Sequence, residues 1–246
     1  EGPPDGGGNA ADVKATNVTI WGGNAIGNVF GGGNGTQNVA NIIDNVSTKI
    51  YGGTIRNIYG GSNSRGTIGG TIDVTIDSQR EGDKPLCNML IGNVYGGGNK
   101  ATSQVGNIHI GCTGDNGYIE NVFGGANQAN IDGDIALYIN SGNIGNVFGG
   151  NNLSGNINGT ITVTIGNDLS NDCGKFEIGG NLAAYTTADD KKNYPVVYML
   201  GGTVREAIYG GGLGVGATVT GNPHVYMTDG SVGYTEIVDG IPMVRG

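Results

Sequence analysis

Five stretches of the chain alternate apolar and polar residues with a period of two: TIDVTI (71–76), VGNIHI (105–110), DIALYI (134–139), TITVTI (160–165) and VVYML (196–200). Thr, Val and Ile at alternate positions suit a pleated surface with one buried face, so each predicts a strand. No window combines i, i+3, i+4, i+7 apolar spacing with a credible cap, so no helix is predicted. A second pattern falls between these strands. IGNVFGGGN (26–34) is more than half Gly and Asn, which by propensity alone reads as a loop. Nearly the same string returns as IRNIYGGSN (55–63), IGNVYGGGN (91–99), IENVFGGAN (119–127) and IGNVFGGNN (144–152).

The aromatic before the glycines marks the repeat: Phe30, Tyr59, Tyr95, Phe123 and Phe148, spaced by 29, 36, 28 and 25 residues. KFEIGGN (175–181) reads as a worn copy with Ile178 in the aromatic slot, REAIYGGG (205–212) as another with Tyr209, and SVGYTEIVDG (231–240) as the last. One strand, a Gly-Gly turn, a short IxNV[FY] strand and a glycine corner in each ~30 residues describe a β-solenoid, whose units bury their apolar side only against their neighbours. The expected architecture is all-β, a right-handed parallel β-helix of about seven rungs. A trefoil or prism of antiparallel hairpins competes with it, because Gly-Gly before IxNV could turn a hairpin.

Stacking at ~4.8 Å would turn aligned residues into ladders. The expected columns are Asn28, Asn57, Asn93, Asn121 and Asn146 for the amides, and Phe30, Tyr59, Tyr95, Phe123 and Phe148 for the rings. Trp21 and Tyr51, each before Gly-Gly, predict a second aromatic column. The glycines are expected to supply φ > 0 at corners. Strict alternation in Ile26–Phe30 places Ile, Asn and Phe on one face and Val on the other. Either Asn28 lies inside as a ladder, or it sits at a bend that turns Val29 inward.

The IxNV[FY]GGGN units and (V/I)xVxI strands resemble bacterial secreted right-handed parallel β-helix proteins. More narrowly they are similar to repetitive, adhesin-like surface proteins of gut Bacteroidetes. The resemblance covers most of 16–240 and implies export, placement at the cell surface or outside the cell, and a lipid anchor upstream of Glu1. These motifs belong to a scaffold and carry no reactive group. Rungs of 25 to 36 residues are less regular than in the tidiest β-helices.

Composition sharpens this picture. Gly supplies 52 and Asn 30 of 246 residues, charged residues only 13%, and no Gly-X-Y period occurs, which excludes collagen-like and disordered readings. Residues 1–15 read as a flexible leader and 16–246 as one solenoid domain. A net charge of −9 without a basic cluster argues against nucleic acid. No apolar run approaches the ~18–20 residues of a membrane-spanning helix. Cys87, Cys112 and Cys173 show no metal-site spacing; a Cys87–Cys112 bridge, about one repeat apart, would imply an oxidising compartment.

No cofactor or metal is expected. GGGNKAT (96–102) lacks phosphate-loop spacing. His109, between Ile108 and Ile110, should point outward on its strand. Asp73 with Asp77 and Asp132 with Asp134 share strand faces, and a carboxylate pair is what a polysaccharide lyase or hydrolase on this fold would need. Such an enzyme is the alternative to the favoured reading, a non-enzymatic extracellular or cell-surface protein. That protein would act as an adhesive or structural solenoid binding glycans or surface proteins through loops, with end-to-end self-association. The loops are the charged insertions 77–90, with Asp77, Arg80, Glu81, Asp83 and Lys84, and 183–195, with Tyr185, Asp189, Asp190, Lys191, Lys192 and Tyr194.

Overall fold

The computed structural model describes residues 11–24, 26–78, 80–81, 84–85, 87–166, 176–185, 195–212 and 222–245. They form a β-solenoid of about six turns, close to the seven expected. The first sheet stacks eight strands: Thr16–Ile20, Val46–Ile50, Ile72–Ile76, Val105–Ile110, Ile135–Ile139, Ile161–Ile165, Val196–Met199 and His224–Met227. The second carries the repeat: Ile26–Phe30, Gly53–Tyr59, Met89–Tyr95, Tyr118–Phe123, Gly142–Phe148, Phe176–Ile178, Thr203–Val204 and Ser231–Val232, with Leu182–Tyr185 and Ile208–Gly212 alongside. Parallel bridges Ile42↔Ile68, Ser103↔Ile131 and Ile131↔Ile157 make a narrow third face. Every pairing between rungs is parallel, which excludes the hairpin-built trefoil or prism.

In the first sheet alternation is the rule: Ile135–Ile139 and Ile72–Ile76 both bury every second residue, and a register shift between Val105 and Ile108 interrupts it. Its β-branched side chains stack as unbroken columns, one running Val18, Thr48, Val74, Ile108, Leu137, Val163, Val197 and Val225. Thr48 is the polar exception in that column. It is fully buried and its Oγ1 has no hydrogen-bond partner. Since a buried hydroxyl without a partner costs ~1–2 kcal/mol, Thr48→Val should raise stability by about that amount in a urea titration.

In the second sheet alternation breaks at one place in every rung. Ile55 and Ile58 both enter the main core, with Arg56 and Asn57 outside it. Pairing skips the residue after Ile in successive rungs: Ile91 pairs with Ile119 and Asn93 with Asn121. The Asn therefore stands at a bend, and Val29 and its equivalents turn inward. Each Asn Nδ2 donates to the Oδ1 of the preceding rung, from Asn57 to Asn28 and onward through Asn93, Asn121 and Asn146, at 2.8–3.1 Å. The Asn that closes each glycine corner builds a second amide ladder through Asn34, Asn63, Asn99, Asn127 and Asn152. Between the two ladders the aromatic column forms its own buried cluster, Phe30, Tyr59, Tyr95, Phe123 and Phe148, with ring centroids 4.7–5.2 Å apart.

Four expectations change. The first glycine after each aromatic has no positive φ. Gly96 instead has no room for a Cβ, which would collide with the Gly124 carbonyl oxygen on the next rung; positive φ occurs at other corners such as Gly53 and Gly142. Ile178 pairs with Ile144 and so holds the Ile slot, while Ala183 pairs with Phe148 in the aromatic slot. The last copy ends at Val232: Tyr234–Val238 turns back on Ile241–Arg245 as an antiparallel hairpin. Finally, Cys87 is a free thiol and Cys112 is disulfide-bonded, so these two are not paired with each other. Ala11–Val13, within the expected leader, pairs with Ala40–Ile42.

Candidate functional site

The four acidic residues that could have formed catalytic pairs serve as ties between rungs. Asp73 Oδ1 accepts from the Asn107 N–H at 3.0 Å, Asp77 Oδ1 from the Cys112 N–H at 2.9 Å, and Asp134 Oδ1 from the Thr160 N–H at 2.6 Å. Asp132 Oδ1 accepts from Asn158 Nδ2 at 2.8 Å. Asn45 and Asn130 make the same bond to the next rung's backbone. Asp and Asn share only the carbonyl-type oxygen this job uses. The partners across the rungs are backbone amides and an Asn side chain.

The expected binding loops are only partly visible. Arg80–Glu81 and Lys84–Pro85 form a two-residue antiparallel pair, and Tyr185 ends the strand Leu182–Tyr185. Asp83, Asp189, Asp190, Lys191, Lys192 and Tyr194 lie outside the described residues. Among the described residues no three His, Cys, Asp or Glu side chains gather as a metal site, and no helix is long and apolar enough to cross a membrane.

Most aromatic side chains on the outside are already committed to ladders. His109 points outward as expected and stacks on Tyr138 at 4.9 Å and 8°. Tyr198 stacks on Tyr226, and Trp21 on Tyr51 at 4.7 Å, the second column foreseen from sequence. Each ring of such a pair turns one face to its partner. Burial pushes the Tyr95 phenol up to about 12, with Tyr59 adding to the rise and the Asn152 hydrogen bond opposing it.

Tyr118 is different. It is 39% exposed and has no ring partner among the described residues. It borders an open groove of about 460 Å³ on the outer face of the second sheet, with Thr54, Arg56, Leu90, Gly92 and Glu120. The bend places one residue per rung along this face, Gly27, Arg56, Gly92, Glu120 and Gly145, and the first four of them line the groove. Opposite charges thus flank a rung without a side chain. Two strand spacings put Arg56 and Glu120 roughly 10 Å apart along the axis. Both are exposed, and neither forms an ion pair or hydrogen bond among the described residues. Leu90, 49% exposed, stands beside Tyr118 as an apolar wall.

No protein family, curated protein or solved structure matches this chain. What the groove can do therefore rests on its chemistry. The groove combines an exposed aromatic ring, an aliphatic wall, guanidinium donors at one rim and a carboxylate acceptor at the other. Sequence reasoning passed over it because its residues occupy the position before the Ile and the "x" of IxNV, slots that vary from copy to copy. The signal was in that variation: Gly, Arg, Gly, Glu, Gly.

Proposed function

We propose that this chain is a non-enzymatic solenoid of the cell surface or extracellular space that holds a glycan in the groove beside Tyr118. The observation that carries the reading is Tyr118 itself, a part-exposed ring that lines one groove with Arg56 and Glu120, neither of which forms an ion pair among the described residues. A sugar ring has an apolar C–H face and a rim of hydroxyls. Tyr118 and Leu90 suit the first; Arg56 and Glu120 suit the second by donating to and accepting from hydroxyl groups. A neutral glycan fits best, because the chain's net charge of −9 repels an anionic polymer. The disulfide at Cys112 supports an oxidising, extracytoplasmic setting. The ties that occupy the Asp carboxylates weigh against the lyase or hydrolase alternative.

Binding to a neutral-glycan array, with and without EDTA, tests the reading. Tyr118→Ala and Arg56→Ala are each expected to weaken binding roughly tenfold or more, equivalent to ~1.4 kcal/mol. Exposed on the outer face, both variants should melt within about 2 °C of the parent. Cleavage of a bound polysaccharide, or binding indifferent to both substitutions, would overturn the proposal.

A further inference from the structure

The groove beside Tyr118 runs along the solenoid axis, because equivalent positions of successive rungs line it. One row is Thr54, Leu90 and Tyr118, and the row next to it is Arg56, Gly92 and Glu120. The bare floor at Gly92 is fixed by the fold, since a Cβ there would collide with the Arg56 carbonyl oxygen. Gly145, one rung beyond Glu120, is closed in the same way by the Glu120 carbonyl oxygen. A Cβ on Gly145 would also meet the Tyr118 hydroxyl, so the phenol reaches from its own rung over the next. The ring therefore extends along the axis, the direction in which the groove runs. Charge recurs at every second rung, Arg56 and then Glu120, roughly 10 Å apart along the axis at two strand spacings.

We propose that the glycan held here is a neutral, flat chain of β-1,4-linked hexoses that lies along the solenoid axis and spans three rungs. The inference rests on the reading of this groove as a glycan site. In a flat chain of this linkage successive units turn over by half a revolution, so equivalent hydroxyls return to the same side at every second unit. Two units advance by close to two strand spacings, which is the separation of Arg56 and Glu120. One unit then presents hydroxyls to Arg56 and the next passes over Gly92. The third lays its C–H face on Tyr118 while Glu120 accepts from its hydroxyls. Leu90, on the middle rung, adds apolar contact beside the bare glycine. Arg56 and Glu120 carry no net charge between them, which suits an uncharged chain. An α-1,4-linked chain of the same sugars coils away from a straight groove, so it reaches one charged residue and not both.

Calorimetric titration with cello-oligosaccharides and β-1,4-linked manno-oligosaccharides, as dimers, trimers and hexamers, tests the proposal, with maltohexaose as the α-linked control. In a series that binds, affinity should rise roughly tenfold from dimer to trimer and change little from trimer to hexamer. The β-linked hexamer should bind about tenfold or more tighter than maltohexaose. Arg56→Ala should weaken the trimer roughly tenfold yet leave the dimer, which settles on Tyr118 and Glu120 alone, within about twofold. A misfolded variant would lose both ligands alike, so this split separates the contact from a structural defect. A dimer as tight as the trimer, maltohexaose matching the β-linked hexamer, or an Arg56→Ala loss independent of length would each overturn the extended-chain assignment while the glycan reading stands. So would failure of both β-linked series when other neutral glycans bind through Tyr118. If no neutral glycan binds at all, the glycan reading falls and takes this inference with it.

Discussion

Gly96→Ala is expected to lower stability by at least about 3 kcal/mol, roughly 6–12 °C in Tm, or to prevent folding altogether. Its φ is ordinary, so no backbone strain is involved. The cost is steric. An added Cβ would fall inside contact distance of the Gly124 carbonyl oxygen and of Ile108 Cδ1, with Ile108 Cγ1 at 3.0 Å. The carbonyl belongs to the next rung's backbone and Ile108 to the opposing sheet, and both are fixed by their own stacking. Neither can yield without shearing the ladder that holds it. Gly27→Ala provides the contrast, since nothing lies within 4 Å of its Cβ and its φ is also ordinary. It should be neutral or slightly stabilising, by ~0.4–1 kcal/mol through the unfolded chain. Thermal denaturation of both variants checks the pair. Equal melting temperatures would mean that the rungs can spread, contrary to the close approach described here.

Phe123→Ala is the second large effect, expected at ~3–5 kcal/mol. Phe123 is 4% exposed and stacks on Tyr95 at 5.0 Å and on Phe148 at 5.2 Å. Truncation removes both ring contacts, each worth ~0.5–1.5 kcal/mol beyond burial, and opens a void between two amide ladders. Phe123→Leu keeps most of the apolar volume and should recover about half of the loss. Because a solenoid holds together through nearest neighbours, a gap in the middle of the column should also uncouple the two ends. The denaturant slope of Phe123→Ala should therefore fall along with its midpoint. An unchanged slope would show that the other columns alone keep the rungs cooperative.

Both predictions concern the repeat, and the repeat is where sequence and structure agree most closely. Period-two runs such as TITVTI specify a strand with one buried face wherever they lie. Near-identical strings specify stacking because identical side chains satisfy one another in ladders. The aromatic column, the first Asn ladder and the Trp21–Tyr51 pair could thus be read directly. The second Asn ladder was present in the same strings, in the Asn that closes GGGN, and needed only the same argument applied once more.

Other features depended on which rung faces which. One-dimensional alignment put Ile178 under the aromatics, but register put Ala183 there, because the chain spends extra residues between the two. Asp73, Asp77, Asp132 and Asp134 looked free for chemistry until the following rung delivered its amides to them. Glycine's role in the repeat likewise turned from backbone conformation to space, since crowding exists only once a second rung is laid down.

The sequence by itself determined the all-β class, the rung length and the identity of the stacked columns, because these follow from periods and repetition within the chain. The tertiary structure alone decided that the Asn stands at a bend and that Tyr118, Arg56 and Glu120 share one groove across Gly92. The physical reason is common to both. Residues 25 to 36 positions apart in the chain become neighbours ~4.8 Å apart in space, and only the register of parallel pairing says which ones.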